Sequence, residues 1–399
     1  MSISRRIVVV VLILCAQAGA ADWQGWRGPT RNGISPETGL NWEWPVSGPK
    51  VLWKGSVGTG FSCVAVAGGR AYTLGNREDM DTVFCLDAET GSELWRHSYP
   101  CQLDPKAYEG GPMATPAVDG ERVYTISKFG HCFCLNAETG AVIWSAKFEP
   151  PAWTEEDYKV WWGYAGSILV LPDRLILPVG TAGLAVDKLT GKILWDNGPG
   201  YSGYSSPILF EIDRRPCFAF VSGHQIVAAA VADGQVRWKI PWKTTWDQNA
   251  SDVIISDGKL FVSTGHGVGC GLFDLSTGAP VELWRNKNMR TYLSTCILWK
   301  GSLYGFDDKQ LRCIDWRTGE VRWTGPKRGL GSLILAEDRL LALHEDGTLQ
   351  LIEATSDACK PLAQAKVLDS RCWSAPALAN GRLFLRNASG DLVCLDLRK

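Results

Sequence analysis

Residues 85–95 read CLDAETGSELW and residues 134–144 read CLNAETGAVIW, the same phrase begun again 49 positions on (85 to 134). Weaker copies follow as GLAVDKLTGKILW (183–195), IVAAAVADGQVRW (226–238), CGLFDLSTGAPVELW (270–284) and LRCIDWRTGEVRW (311–323). A seventh, LQLIEATSDACKPLA (349–363), keeps the alternation and loses the Gly and Trp; an eighth, LVCLDLRK (392–399), stops before its turn. Successive tryptophans lie between 39 (284 to 323) and 51 (144 to 195) residues apart. A period of this size built from short alternating strands predicts a β-propeller.

Each part of the phrase has a physical reason. The run VFCLD alternates, so one face packs inward. Asp87 or Asn136 ends the strand, where a short polar side chain can bond the following turn. Thr-Gly closes the turn, glycine tolerating the positive φ that a hairpin needs. The Trp then buries ~150–250 Å² of ring between neighbouring units. Upstream of the copies lie segments such as ATPAVDGERVYTIS and SAPALANGRLFLRN, which add two more strands per unit.

These counts predict an all-β, eight-bladed propeller of four-stranded antiparallel blades over residues 50–399. The eighth unit has three strands, and KVLWKGS, with Trp53 in the expected place, supplies a fourth. The N-terminal strand therefore closes the ring by joining the C-terminal blade, which leaves no long exposed edge. Loss of the weak copy at 349–363 would reduce the ring to seven blades.

Residues 1–20 read as a cleavable leader: Arg5 and Arg6, an apolar run over 7–16, then Ala18-Gly19-Ala20. The run is too short to span a bilayer comfortably. The mature chain is expected to begin near Ala21, to carry no transmembrane helix, and to be periplasmic or secreted. Lys plus Arg number 41 against 42 Asp plus Glu, which argues against nucleic acid as a partner. Beyond Cys15 there are twelve cysteines, an even count whose pairing the sequence leaves open. His131-Cys-Phe-Cys134 lacks a second ligand pair, so no metal site is expected.

Three stretches break the period: an irregular segment at 21–49 with four tryptophans, YPCQLDPKAYEGG, and FEPPAWTEEDYKVWWGYAG. In the last, Thr154 before Glu155-Glu156-Asp157 has the pattern of a helix N-cap. Irregular insertions on a regular scaffold are where function is usually added.

The copies of [LV]-x-[AC]-[LV]-D-x-x-T-G-x-x-x-W resemble the repeat of pyrroloquinoline-quinone-type β-propellers. WRGPTRNGIS (26–35) resembles the start of exported propellers of that superfamily, of a planctomycete type, which are similar to the outer-membrane assembly lipoprotein BamB. The resemblance spans essentially the whole mature chain. It implies a propeller that either binds envelope proteins or oxidises alcohols or sugars with pyrroloquinoline quinone and calcium. Quinoprotein dehydrogenases carry a vicinal Cys-Cys pair and a calcium site of Glu, Asn and Asp; neither maps onto this sequence. A good lipobox cysteine, expected of BamB, is also missing.

Propeller ligands sit at the channel mouth, on loops leading into the innermost strands. Those loops nominate Trp162, Tyr164, Tyr204, Trp246, Asp247, Asn249, Arg290, Tyr292, Arg371 and Trp373 as ligand-binding residues. The competing expectation is that these side chains pack together and plug the mouth. Asp247 and Asn249 are expected to cap their own loop. His266 falls on a strand-to-strand turn, and no catalytic constellation is legible. The expected function is a non-catalytic scaffold for a protein or cell-envelope partner, with no cofactor. The alternatives are a quinoprotein oxidoreductase and a carbohydrate-binding propeller.

Overall fold

Each copy of the phrase forms the third strand, turn and fourth strand of an antiparallel sheet. In the first, Met80–Asp87 pairs with Glu93–Pro100, with Cys85 opposite Trp95; in the second, Cys134 lies opposite Trp144. This computed structural model describes residues 21–149 and 161–399, so the leader and the helix cap at Thr154 lie outside the described residues. Eight sheets form the eight blades of a propeller, spanning 65–100, 117–147, 169–196, 208–241, 254–286, 297–327, 331–366 and 377–396. Lys50–Ser56 joins the last as its fourth strand, with Trp53 opposite Cys394.

The turn chemistry repeats from blade to blade. The Asp87 carboxylate accepts from the Glu89 and Thr90 amides at 3.0 and 2.8 Å, and Asn136, Asp187 and Asp315 do the same in their turns. The tryptophan of one blade reaches the turn of the next. Trp53 Nε1 donates to Ala88 O, Trp95 to Ala137 O, Trp144 to Lys188 O and Trp195 to Val231 O, at 3.0–3.2 Å.

The glycine of that turn lies flat on the incoming ring. A Cβ on Gly140 would stand 2.6 Å from the Trp95 ring, and Gly91, Gly191 and Gly234 are as close to Trp53, Trp144 and Trp195. Gly140 also has φ +72°, in the left-handed region. Glycine is thus required twice, by the turn and by the ring above it.

The seventh copy does form its strands, Thr348–Glu353 and Lys360–Lys366, so the ring has eight blades. Its missing Trp follows from the ring closure. Blade 8 takes its fourth strand from the other end of the chain, so it offers no third-turn glycine for a blade-7 Trp to cover. Trp42 and Trp44 of the N-terminal segment pack there instead, in one cluster with Ala363 and Val367. The seam between blades 8 and 1 is tied by Arg386. Its buried guanidinium donates to Ser62 O, Leu74 O and Gly58 O at 2.9, 2.6 and 3.1 Å, and desolvation lowers its pKa to about 10.

All twelve cysteines among the described residues are free thiols, and all but Cys359 are buried. Cys132 and Cys134 share one strand face, in the core between blades rather than at a metal site. Among the described residues no helix is long and apolar enough to cross a membrane.

Candidate functional site

The N-terminal segment occupies the channel. It enters at the face bearing the hairpin turns between first and second strands, where Trp23 pairs with Val66 of blade 1 and Gln24 O accepts from Val118 N of blade 2. It rises towards the lead-in loops and folds back through turns at Gly28 and Gly33. It leaves as Ile34–Ser35, pairing in parallel with Leu335–Ala336 of blade 7, and ends against blade 8, where Glu37 accepts from the Asn380 and Gly381 amides.

Three side chains at the top of this strap grip the lead-in loops. Arg27 donates to Thr295 O and Cys296 O of blade 6 at 3.0 and 2.8 Å, and Arg31 to Ile168 O of blade 3 at 2.9 Å. Trp26 Nε1 donates to Asp252 Oδ2 at 2.6 Å, while the other oxygen accepts from Ser206 N of blade 4 at 2.7 Å. Burial lowers both arginine pKa values, Arg31 to about 10, and raises that of Asp252, with Arg27 and Asp252 each opposing the other's shift.

Above the strap, on the mouth side, lies a cavity of about 250 Å³. Trp26 lines its lower end. One wall is the Phe61–Trp373 stack, with centroids 5.6 Å apart and planes 27° apart. Tyr108 meets Phe61 edge-on at 5.3 Å and continues to Trp162, which meets Tyr204 at 5.5 Å. Tyr292 and Gln248 line another part of the wall, the tyrosine hydroxyl donating to Gln248 Oε1 at 3.1 Å. The first insertion holds Tyr108 in place. Lys128, buried, donates to Leu103 O and Asp104 O, Trp162 Nε1 donates to Lys106 O, and Glu109 pairs with Arg371 at 2.9 Å.

Four of the ten nominated residues, Trp162, Tyr204, Tyr292 and Trp373, line this cavity. The other six lie elsewhere. Tyr164 is buried in the core between blades, and Arg290 is held by Asp307 through two bonds of 2.8 and 2.9 Å. Arg371 lies 4.4 Å over the Trp373 ring and so braces a wall residue. Trp246 is 62 % exposed on the rim, with φ +67°, and Asp247 follows at φ +53°, two successive left-handed non-glycine residues.

That strained loop is held from outside. Asp247 takes a 2.8 Å bond with His224 Nδ1, and Asn249 Nδ2 donates to Ser222 O and Gly223 O. These two side chains cap the neighbouring hairpin of blade 4, where the sequence had suggested that they cap their own loop. His266 stands on its turn and bonds Gln248 through Nε2. The aromatic residues do not fill the mouth; they wall a cavity, and the channel is filled from the opposite face.

Trp26, Phe61, Tyr108 and Gln248 are lining residues that loop reading did not nominate. Trp26 and Tyr108 lie in two of the three period-breaking segments, so their irregularity was the available signal. Phe61 follows the closing strand and carried none.

Among the described residues no Asp, Glu, Lys, Arg or His lines the cavity, and Cys63, the only thiol among them there, is raised by burial to about 11. Pyrroloquinoline quinone carries three carboxylates and is bound with calcium. The described lining residues do not fit it, because a buried carboxylate without a partner costs several kcal/mol, on the order of the Born penalty after relaxation. Among the described residues there is no cluster of three acidic, His or Cys side chains able to hold a metal.

Among solved structures, the chain is similar to BamB from Moraxella catarrhalis (14 % identity, TM-score 0.64), over 87 % of this chain and 97 % of that one. It is also similar to a europium-containing methanol dehydrogenase (14 %, 0.70; 92 % and 89 %) and to quinohemoprotein alcohol dehydrogenase from Comamonas testosteroni (14 %, 0.65; 96 % and 82 %). At such identities the likeness is one of fold. No curated protein matches the sequence. The family model for outer membrane protein assembly factor BamB matches residues 79–325, more than half of the chain, and this PQQ-like β-propeller therefore belongs to that family.

Proposed function

We propose that the protein is a non-catalytic binding scaffold for a protein partner of the cell envelope, and that the mouth cavity receives an uncharged apolar side chain of that partner. The observation carrying this reading is the neutral, aromatic-walled lining. Burying a Phe- or Leu-sized group there yields about 1.5–3 kcal/mol, and an aromatic contact adds ~0.5–1.5 kcal/mol. The leader-like residues 1–20 support a periplasmic or secreted location, and the family's description as an outer membrane protein assembly factor supports an envelope partner.

The test is titration with the uncharged fluorophore N-phenyl-1-naphthylamine, followed by displacement with N-acetylated, amidated peptides bearing Phe, Trp or Leu. Saturable binding, displaced by these peptides and lost in Trp373→Ala and Trp162→Ala, is expected. Saturable binding of pyrroloquinoline quinone with calcium, lost in the same variants, would replace this reading with the oxidoreductase one. Glycan-array binding through these residues would replace it with the carbohydrate one.

A further inference from the structure

The cavity has walls built by the blades and a lower end built by something else. Trp26 is the strap residue that lines it, and its ring is only partly buried although Gly25, Arg27 and Gly28 beside it are buried. That ring is constrained by its neighbours on the strap and by Asp252. Before it, Trp23 and Gln24 are tied to Val66 and Val118; after it, Arg27 and Arg31 are tied to blades 6 and 3. The indole N–H is tied to Asp252, itself fixed by the Ser206 amide.

We propose that Trp26 is the specificity-determining residue of the mouth cavity: it is a floor delivered from the opposite face, and it sets the depth to which a ligand's apolar group can enter. This rests on the reading of the cavity as a site for an uncharged apolar group. A cavity of ~150 Å³ accepts benzene. At about 250 Å³ this one accepts a two-ring group, indole or naphthyl in size, and excludes longer ones while Trp26 stands beneath it. Asp252 is a positioning residue, acting through the indole that it holds and through the Ser206 amide.

The experiment compares 1-naphthalenemethanol with 1-pyrenemethanol, both uncharged and fluorescent, on the mature chain. The wild-type protein is expected to prefer the naphthyl probe by tenfold or more. Trp26→Ala should weaken that probe severalfold and strengthen the pyrenyl one, cancelling or reversing the preference. Trp26→Phe should fall between. Asp252→Asn, whose single oxygen can serve the indole or the Ser206 amide but not both, should relax the preference in part, and Asp252→Ala should relax it further with the ring still present.

Should Trp26→Ala fail to fold by circular dichroism, the Trp26→Phe and Trp26→Leu variants carry the same comparison. An unchanged preference in folded Trp26 variants, alongside lost binding in Trp373→Ala, overturns the role of Trp26 alone. Binding of neither probe by the wild-type protein overturns the reading of the cavity itself.

Discussion

The blade wall and the N-terminal strap are both rich in tryptophan, yet the same residue does opposite work in them. In the wall, a tryptophan covers the glycine turn of the next blade, a contact repeated at Gly91, Gly140, Gly191 and Gly234. In the strap and the N-terminal residues that follow it, Trp23, Trp26, Trp42 and Trp44 each meet different surroundings: an inner strand edge, an aspartate, the Glu337 carboxylate, and the seam beside blade 7. Repetition lets the wall be built from local rules. The strap satisfies no rule of its own and is specified by what lines the channel.

If the strap is integral rather than an accessory, its charges should matter most. Arg27→Met removes the leading positive compensation for buried Asp252 and strips the buried Thr295 and Cys296 carbonyls of their charged donor. Each such bond is worth about 1.5–3 kcal/mol, so a loss of about 3–5 kcal/mol in urea unfolding is expected. A loss below ~1 kcal/mol, the scale of exposed ion pairs, would show the strap to be only loosely seated.

The wall contact is tested by a cycle. Trp95→Ala should cost ~3–5 kcal/mol and Gly140→Ala ~1–3 kcal/mol, the second from the methyl driven into the ring. Because each change damages the same contact, the double variant should fall short of their sum by an amount on the order of 0.5–3 kcal/mol. Simple additivity would break the assignment of the repeated glycine to the ring above it.

The smallest effect separates the two regions by pH. The Asp187 pKa is lowered, mainly by its bond from the Thr190 side chain, so its contribution is present above the unfolded carboxylate pKa and is lost as pH falls through the folded one. Glu37 in the strap is raised by desolvation. Its contribution is therefore greatest below the unfolded pKa and is lost as pH rises through the folded value. Between pH 3 and 6, a range set by the ordinary carboxylate pKa of ~4, the stability advantage of the wild-type chain over Asp187→Asn should grow. Its advantage over Glu37→Gln should shrink. Parallel slopes in the two variants would contradict this division.

Much of the ring was legible because its information is local and repeated. The pairing of Trp53 with Cys394 follows from counting strands, and the asparagine and aspartate turns follow from side-chain reach. The site was legible only in part. Trp162, Tyr204, Tyr292 and Trp373 sit on lead-in loops, whose place at the mouth follows from the architecture. Tyr164, Arg290 and Asn249 sit on the same loops, but whether a side chain points into a channel or into the blade beneath depends on partners such as Asp307 and Gly223, remote in sequence or on another hairpin.

The amino-acid sequence by itself determined the repeating blade, its turns, the closing strand and the near-neutral charge of the chain, because short-range periodicity and composition carry each of these. That the weak copy at 349–363 also forms a blade, making eight, was decided by the structure. Only the tertiary structure decided that residues 22–37 thread the channel, that the mouth holds a cavity, and that Trp26 forms its lower end. The strap carries no period of its own. Its course is set by bonds to blades separated from it by up to 344 residues, as from Glu37 to Gly381, and such bonds exist only once the ring has closed.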